Sequence, residues 1–213
     1  MIDRTKKLPA RFYVNSTGRK PVREWILELP EADRHTVGKD IQKVEFGWPL
    51  GRPHCAPLGT GLWEVRSTLG SNRIARVIFC MGDGHMILVH GFIKKTQKSP
   101  KADIDLALKR MKGGDVMAQK RKGSVSEETF DEFLAEQGIL GACEGHAVKE
   151  LIAEQLAAAM AEQGLTKVEM AARMKTSRRQ LDRLFDPAIP SVTLDTLRRA
   201  ASAVGRSLRI DLV

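Results

Sequence analysis

The 213-residue chain holds 35 Lys and Arg against 26 Asp and Glu, a formal net charge of +9, with 42% hydrophobic residues. That is enough apolar side chain for one large core or two small ones. No apolar run nears the ~20 residues of a membrane span, the first residues hold no long apolar stretch, and Cys55, Cys80 and Cys143 are too few and too scattered for a disulfide framework or paired zinc ligands. The expectation is a cytoplasmic protein with no metal, no cofactor and no membrane partner.

The charge is unevenly placed. Residues 1–116 carry the whole excess of +9, whereas 117–213 are neutral as a set; within them 117–123 is +3, 124–162 is −8 and 163–213 is +5. This order predicts a cationic domain, an acidic segment able to cover it, and a second cationic module with an anionic partner of its own.

In chain order, the pattern predicts a strand around 10–15, a helix from Pro21 and a second helix over 30–46, since proline suits the first helical turn. The Gly/Pro-rich stretch GWPLGRPHCAPLGTG reads as a loop. Alternating strands at 61–68, 73–81 and 85–94, joined by tight turns at LGSN and GDG, predict an antiparallel meander, and a helix over 101–111 closes the domain. The expected fold class is therefore α+β, a small antiparallel sheet with helices, followed by an all-α domain.

The helical pattern stops at Gly113 and Gly114, and a polar, basic linker follows. Met117 opens MAQKRKG, an ordinary start for a separate protein, as if two reading frames had been joined. The predicted division is 1–114, a linker at 115–123, an acidic helical masking segment at 124–145, and 146–213. In the acidic segment Ser124 and Glu127 form a capping box, and Phe130, Phe133 and Leu134 recur at helical spacing. A helix at 145–163 carries Val148, Leu151, Ile152 and Ala159 on one stripe. Three short helices follow in TKVEMAARM, SRRQLDRLF and TLDTLRRAASAV; Gly205 ends the last, and SLRIDLV suits a terminal strand.

The blocks LWEVR, NRIARV and HGFIKKTQKSP, in that order and with the 101–111 helix after them, resemble the phage-derived HigB-like toxins of the RelE/ParE superfamily over about residues 8–112. The resemblance implies a ribosome-associated endoribonuclease that cuts mRNA. Such cleavage requires no metal: the 2′-hydroxyl attacks the adjacent phosphorus, a base takes its proton, an acid protonates the leaving oxygen and cations stabilise the phosphorane. Alternation puts Leu62, Glu64 and Arg66 on one face of their strand, and sends Arg73 and Arg76 to opposite faces, so one of the two joins Arg66.

Arg66 and Arg73 are the candidates for phosphate, because a guanidinium binds phosphate oxygens as a fork. Arg76, Lys94, Lys95 and Lys98 are the candidates for holding RNA. For proton transfer His54, in the loop, ranks before His90, whose apolar strand suits a satisfied core residue better than a catalytic one. Several RelE-type nucleases place a Tyr or His near the end of the domain; the 101–114 segment has neither, and Tyr13 is the only tyrosine. ParE-like members poison DNA gyrase instead, and an inactive toxin fold serving only as part of a DNA-binding regulator is the other alternative.

The segment from TKVEMAARMKTSRRQ to the end of GRSLRI resembles the helix-turn-helix domain of XRE-type antitoxins, including those encoded beside HigB-like toxins, over about 146–210. Such a domain implies binding of operator DNA, autorepression, and a homodimer through the antitoxin part. Ser177 and Gln180 would cap the recognition helix, with Leu181 and Leu184 inward. Arg178, Arg179, Gln180 and Arg183 remain for bases, Thr176 and Ser177 for phosphate, and Lys175 occupies the turn position where glycine is usual.

Overall fold

Proline-started helices and alternating strands assemble the first part of the chain, and one long helix with three shorter, N-capped ones the second. The computed structural model describes residues 6–94, 101–113, 125–187, 189 and 191–208. Lys6–Cys143 forms one compact unit and Glu144–Val213 belongs to another.

In the first unit β1 (Ala10–Tyr13) leads to α1 (Pro21–Glu28) and α2 (Glu31–Gly47), then β2 (Cys55–Gly59), β3 (Leu62–Thr68), β4 (Ile74–Gly82) and β5 (His85–Lys94). After α3 (Lys101–Gly113) come β6 (Val125–Thr129) and α4 (Phe130–Glu136), and α5 (Leu140–Glu162) begins. The strands form one mixed sheet in the order β2-β3-β4-β5-β1-β6. β2 to β5 are an antiparallel meander, β1 runs parallel to β5, and β6 runs antiparallel to β1. The β4–β5 turn is Asp83-Gly84, both at positive φ (47° and 73°), the backbone a twisted two-residue hairpin requires.

Two cores follow from the alternation. α1 and α2 cover one face, packing Val22, Ile26, Val37, Ile41 and Val44 onto Phe12, Val65, Val77, Phe79 and Leu88. α3 covers the other, where Ala107 and Met111 meet Tyr13, Leu62, Ile78, Cys80, Ile87 and Val89. All three cysteines are buried thiols, each pushed up to about 12 chiefly by burial.

Three readings of the sequence need correction. The Gly/Pro-rich loop contains β2, whose edge pairing with β3 tolerates Pro57. The helix expected behind Ser124 begins later: Val125–Thr129 is a strand, and the capping box is Thr129 with Glu132, the same spacing five residues on. Of the segment read as a separate masking element, 124–145, residues 125–143 are folded into the first unit. Ser124, the linker at 115–123 and the end of the expected terminal strand, 209–213, lie outside the described residues.

A buried carboxylate ties this unit together. Glu45, 1% exposed, accepts the amide of Ala10 (2.6 Å) and Lys6 Nζ (2.8 Å), and Lys6 also pairs with Asp131. Burial, opposed by Lys6, pushes the Glu45 carboxyl up to about 7. A raised folded pKa stabilises the unit fully below the unfolded value and loses that contribution as pH climbs through the folded one. Stability should thus fall by about 3 kcal/mol between roughly pH 4.5 and 7, and Glu45→Gln should flatten that slope in urea titrations across the window.

The second unit packs α6 (Lys167–Arg173), α7 (Arg178–Phe185) and α8 (Leu194–Ala203) against α5 through Leu156, Ala159, Met160, Met170, Ala171, Met174, Leu181, Leu184, Ala200 and Val204. Lys149 of α5 reaches the end of α7: its ammonium meets the carbonyls of Asp186 and Ile189 and, at 3.4 Å, that of Arg183. These carbonyls lack helical partners, and a buried cation satisfies them. Among the described residues no helix is long and apolar enough to cross a membrane.

α6 ends in a left-handed turn closed by Lys175 N to Ala172 O and Thr176 N to Ala171 O, both 3.0 Å. The same pattern ends α5 at Gly164 and α8 at Gly205, so Lys175, at φ 50°, adopts a conformation that glycine takes at the other two. Lys175→Gly should therefore raise the stability of this unit by about 1 kcal/mol, read as a higher melting temperature.

Candidate functional site

β3 and β4 bring Arg66 and Arg76 directly opposite one another on the α3 face of the sheet. Like charges in that position repel. Glu64, two residues along β3 and 1% exposed, relieves this: one carboxylate oxygen lies 2.7 Å from Arg66 Nε and the other pairs with Arg76 Nη1. Arg76 is buried with Glu64, its side chain 6% exposed, whereas that of Arg66 is 31% exposed. Arg76 thus balances the carboxylate, and Arg66 is the guanidinium available to a ligand.

Lys94 pairs with Ile74, and Phe92 with Arg76, so β5 places Lys94 on the same face. Desolvation, followed by Arg76 and Arg66, lowers the Lys94 pKa.

His90 reaches this face through an irregularity in the strand. β4 and β5 shift register between Ile78, opposite His90, and Phe79, opposite Leu88, leaving Val89 as an extra residue. Strict alternation would turn His90 with Leu88 toward α1 and α2; the bulge turns it toward α3. Gly91 then faces α1, where a Cβ would come within 2.3 Å of Trp25 Cε3.

His90 Nε2 lies 2.8 Å from Asp103 Oδ1, Arg110 Nη1 lies 3.2 Å from Nδ1, and the ring stacks on Phe92 at 5.6 Å. Because guanidinium can only donate, these partners assign the proton to Nε2. Burial lowers the His90 pKa, with the Asp103 hydrogen bond opposing and Arg110 adding to the lowering. No local pattern in the sequence marks Asp103 and Arg110 as its partners. Tyr13, distant in sequence, also belongs to this face, in the α3 core.

The other predicted residues are placed differently. Arg73 points to the opposite face, where its Nη1 and Nη2 lie 2.7 and 3.1 Å from the oxygens of Asp33 on α2, so Arg76 and not Arg73 is the partner of Arg66. The reason is parity: Arg73 and Arg76 stand three positions apart, an odd number. His54 sits beside Lys43 of α2, Nε2 to Nζ 3.2 Å. Lys95 and Lys98 lie outside the described residues. The acidic segment also lies elsewhere than expected. Its Glu128 and Glu136 pair with Lys20 and Arg23, and its Asp131 with Lys6, not with Arg66 or Arg76.

In the second unit Ser177 caps α7, its hydroxyl accepting from Gln180 N at 3.2 Å. Arg178, Arg179, Gln180 and Arg183 are exposed while Leu181 and Leu184 are buried, giving α7 one cationic and one apolar face. Lys175 and Ser177 are exposed, and Thr176 is half-buried. Asp182, held by Lys167 at 2.8 Å, ties α7 to the start of α6.

No curated protein matches the chain. Residues 24–112, from within α1 to within α3, match the family described as phage-derived protein Gp49-like (DUF891), a toxin-like family.

Proposed function

We propose that the chain joins a RelE-like, ribosome-dependent mRNA endoribonuclease to a helix-turn-helix module that binds operator DNA and represses its own promoter. The observation that carries the nuclease reading is the bulge at Val89, which gathers His90 and Asp103 on the face that holds Arg66 and Lys94. Arg66 and Lys94 grip the scissile phosphate of a single-stranded message, and Glu64 with Arg76 stiffens Arg66. His90, kept neutral by burial, accepts the 2′-hydroxyl proton once Arg110 turns from Nδ1 to a phosphate oxygen. Asp103 steadies the resulting imidazolium, and Lys94, with its lowered pKa, protonates the leaving 5′-oxygen. The products are a 2′,3′-cyclic phosphate and a 5′-hydroxyl.

His90 replaces His54 in this mechanism, and Arg73 and Arg76 hold no phosphate. Masking of the cationic face by residues 124–141 has no part in it, since Glu128 and Glu136 are engaged by Lys20 and Arg23, and Asp131 by Lys6.

The capped, exposed basic face of α7 supports the DNA-binding half. Arg178, Arg179, Gln180 and Arg183 read base edges, Lys175, Thr176 and Ser177 hold phosphates, and a homodimer through this part reads two half-sites. Anisotropy titrations of the intact chain against DNA upstream of its own gene, at physiological salt, test this half. The reading requires preference for that DNA over random sequence; equal affinity for both rejects it.

A further inference from the structure

Residues 125–143 fill a slot in a body made of residues 6–113. β6 adds to the free edge of β1, Arg11 opposite Thr129 and Tyr13 opposite Val125, and the Arg11 guanidinium donates to the carbonyls of Ser126 (3.1 Å) and Glu127 (3.0 Å). Phe130, Phe133 and Leu134 are fully buried, with Phe133 edge-on to Phe12 at 5.3 Å. Leu134 and Cys143 close over Gly38, where a Cβ would meet Cys143 Sγ at 3.0 Å and Leu134 Cδ2 at 3.1 Å.

The rim is complementary in charge. Lys20 pairs with Glu128 at 2.6 Å, Arg23 with Glu128 at 3.3 Å and Glu136 at 2.5 Å, and Lys6 with Asp131. Each of these pairs joins a base from the start of the chain to an acid of the segment. Arg23 also lies over the Phe133 ring, 5.3 Å from its centroid.

We propose that the β1–α1–α2 surface is a docking site for residues 125–143 as a separable ligand, which a second copy of the chain can supply in place of its own. Strand addition gives main-chain hydrogen bonds, the two phenylalanines and Leu134 anchor, and the acidic residues fix register. The covalent connection through 114–124 contributes effective concentration. The inference uses none of the residues of the nuclease or DNA readings and stands without either.

The test starts from the folded intact chain with a protease site placed in 114–124, cut after purification. The two pieces should co-elute in gel filtration at physiological salt, and a fluorescent peptide of residues 125–143 should exchange into the cut complex. Separation of the pieces, or co-elution with no entry of the peptide, overturns the proposal. Lys20→Glu with Arg23→Glu in the body should weaken the peptide by about tenfold or more. A peptide carrying Glu128→Arg and Glu136→Arg should recover that loss on the reversed body. Peptide binding that is indifferent to the reversal, or that the swap fails to recover, overturns the assigned contacts.

Discussion

Replacing Phe133 by alanine is expected to remove about 3–5 kcal/mol from the stability of the Lys6–Cys143 unit. The ring is fully buried, lies edge-on to Phe12 and carries the Arg23 guanidinium, so truncation forfeits transfer energy, an aromatic pair and a cation–π contact and leaves a cavity. All three tryptophans, Trp25, Trp48 and Trp63, lie in this unit, which lets fluorescence follow its unfolding in urea. A loss under about 1 kcal/mol would mean that the segment lies on the surface and not in the core.

The second large effect separates two arginines that the sequence treats alike. Arg66→Ala should cut RNA cleavage by roughly 10²–10³, the usual cost of one donor that stabilises transition-state charge. Arg73→Ala should leave cleavage near the parental rate while costing about 1–3 kcal/mol of stability, since Asp33, its side chain 6% exposed, loses the guanidinium that pairs with it. Arg76→Ala is a poor probe of chemistry. It leaves the carboxylate of Glu64 buried beside one fewer cation, and the structural cost of about 3–5 kcal/mol for breaking a buried pair would confound the rate. Rates for all three variants on one programmed-ribosome substrate, with melting temperatures beside them, check this ordering.

Much of the first unit was legible because period-2 alternation is a local signal. The strands around Arg66 and Arg76, the Asp83-Gly84 turn and the proline-led helices each follow from a few neighbouring residues. What was hidden depends on pairing. No local pattern announces that Val89 is the extra residue of a bulge, and without it His90 belongs to the wrong face. The choice between Arg73 and Arg76 required the hairpin register as well as the alternation. β6 was hidden because VSEET has little strand propensity; the open edge of β1 recruits it, a tertiary effect that overrides the local pattern. Charge misled in a related way. A run of acids after a basic domain suggests a cover for its most functional cations, whereas these acids found Lys6, Lys20 and Arg23 beside the slot that takes Phe130 and Phe133.

The most direct measurement is the chemistry of the cut ends. mRNA on translating ribosomes, incubated with the purified chain, should acquire 5′-hydroxyl ends and 2′,3′-cyclic phosphates in the presence of ribosomes, and His90→Ala and Arg66→Ala should each suppress them. Uncut message, or cleavage by both variants at the parental rate, would contradict a nuclease built on the α3 face.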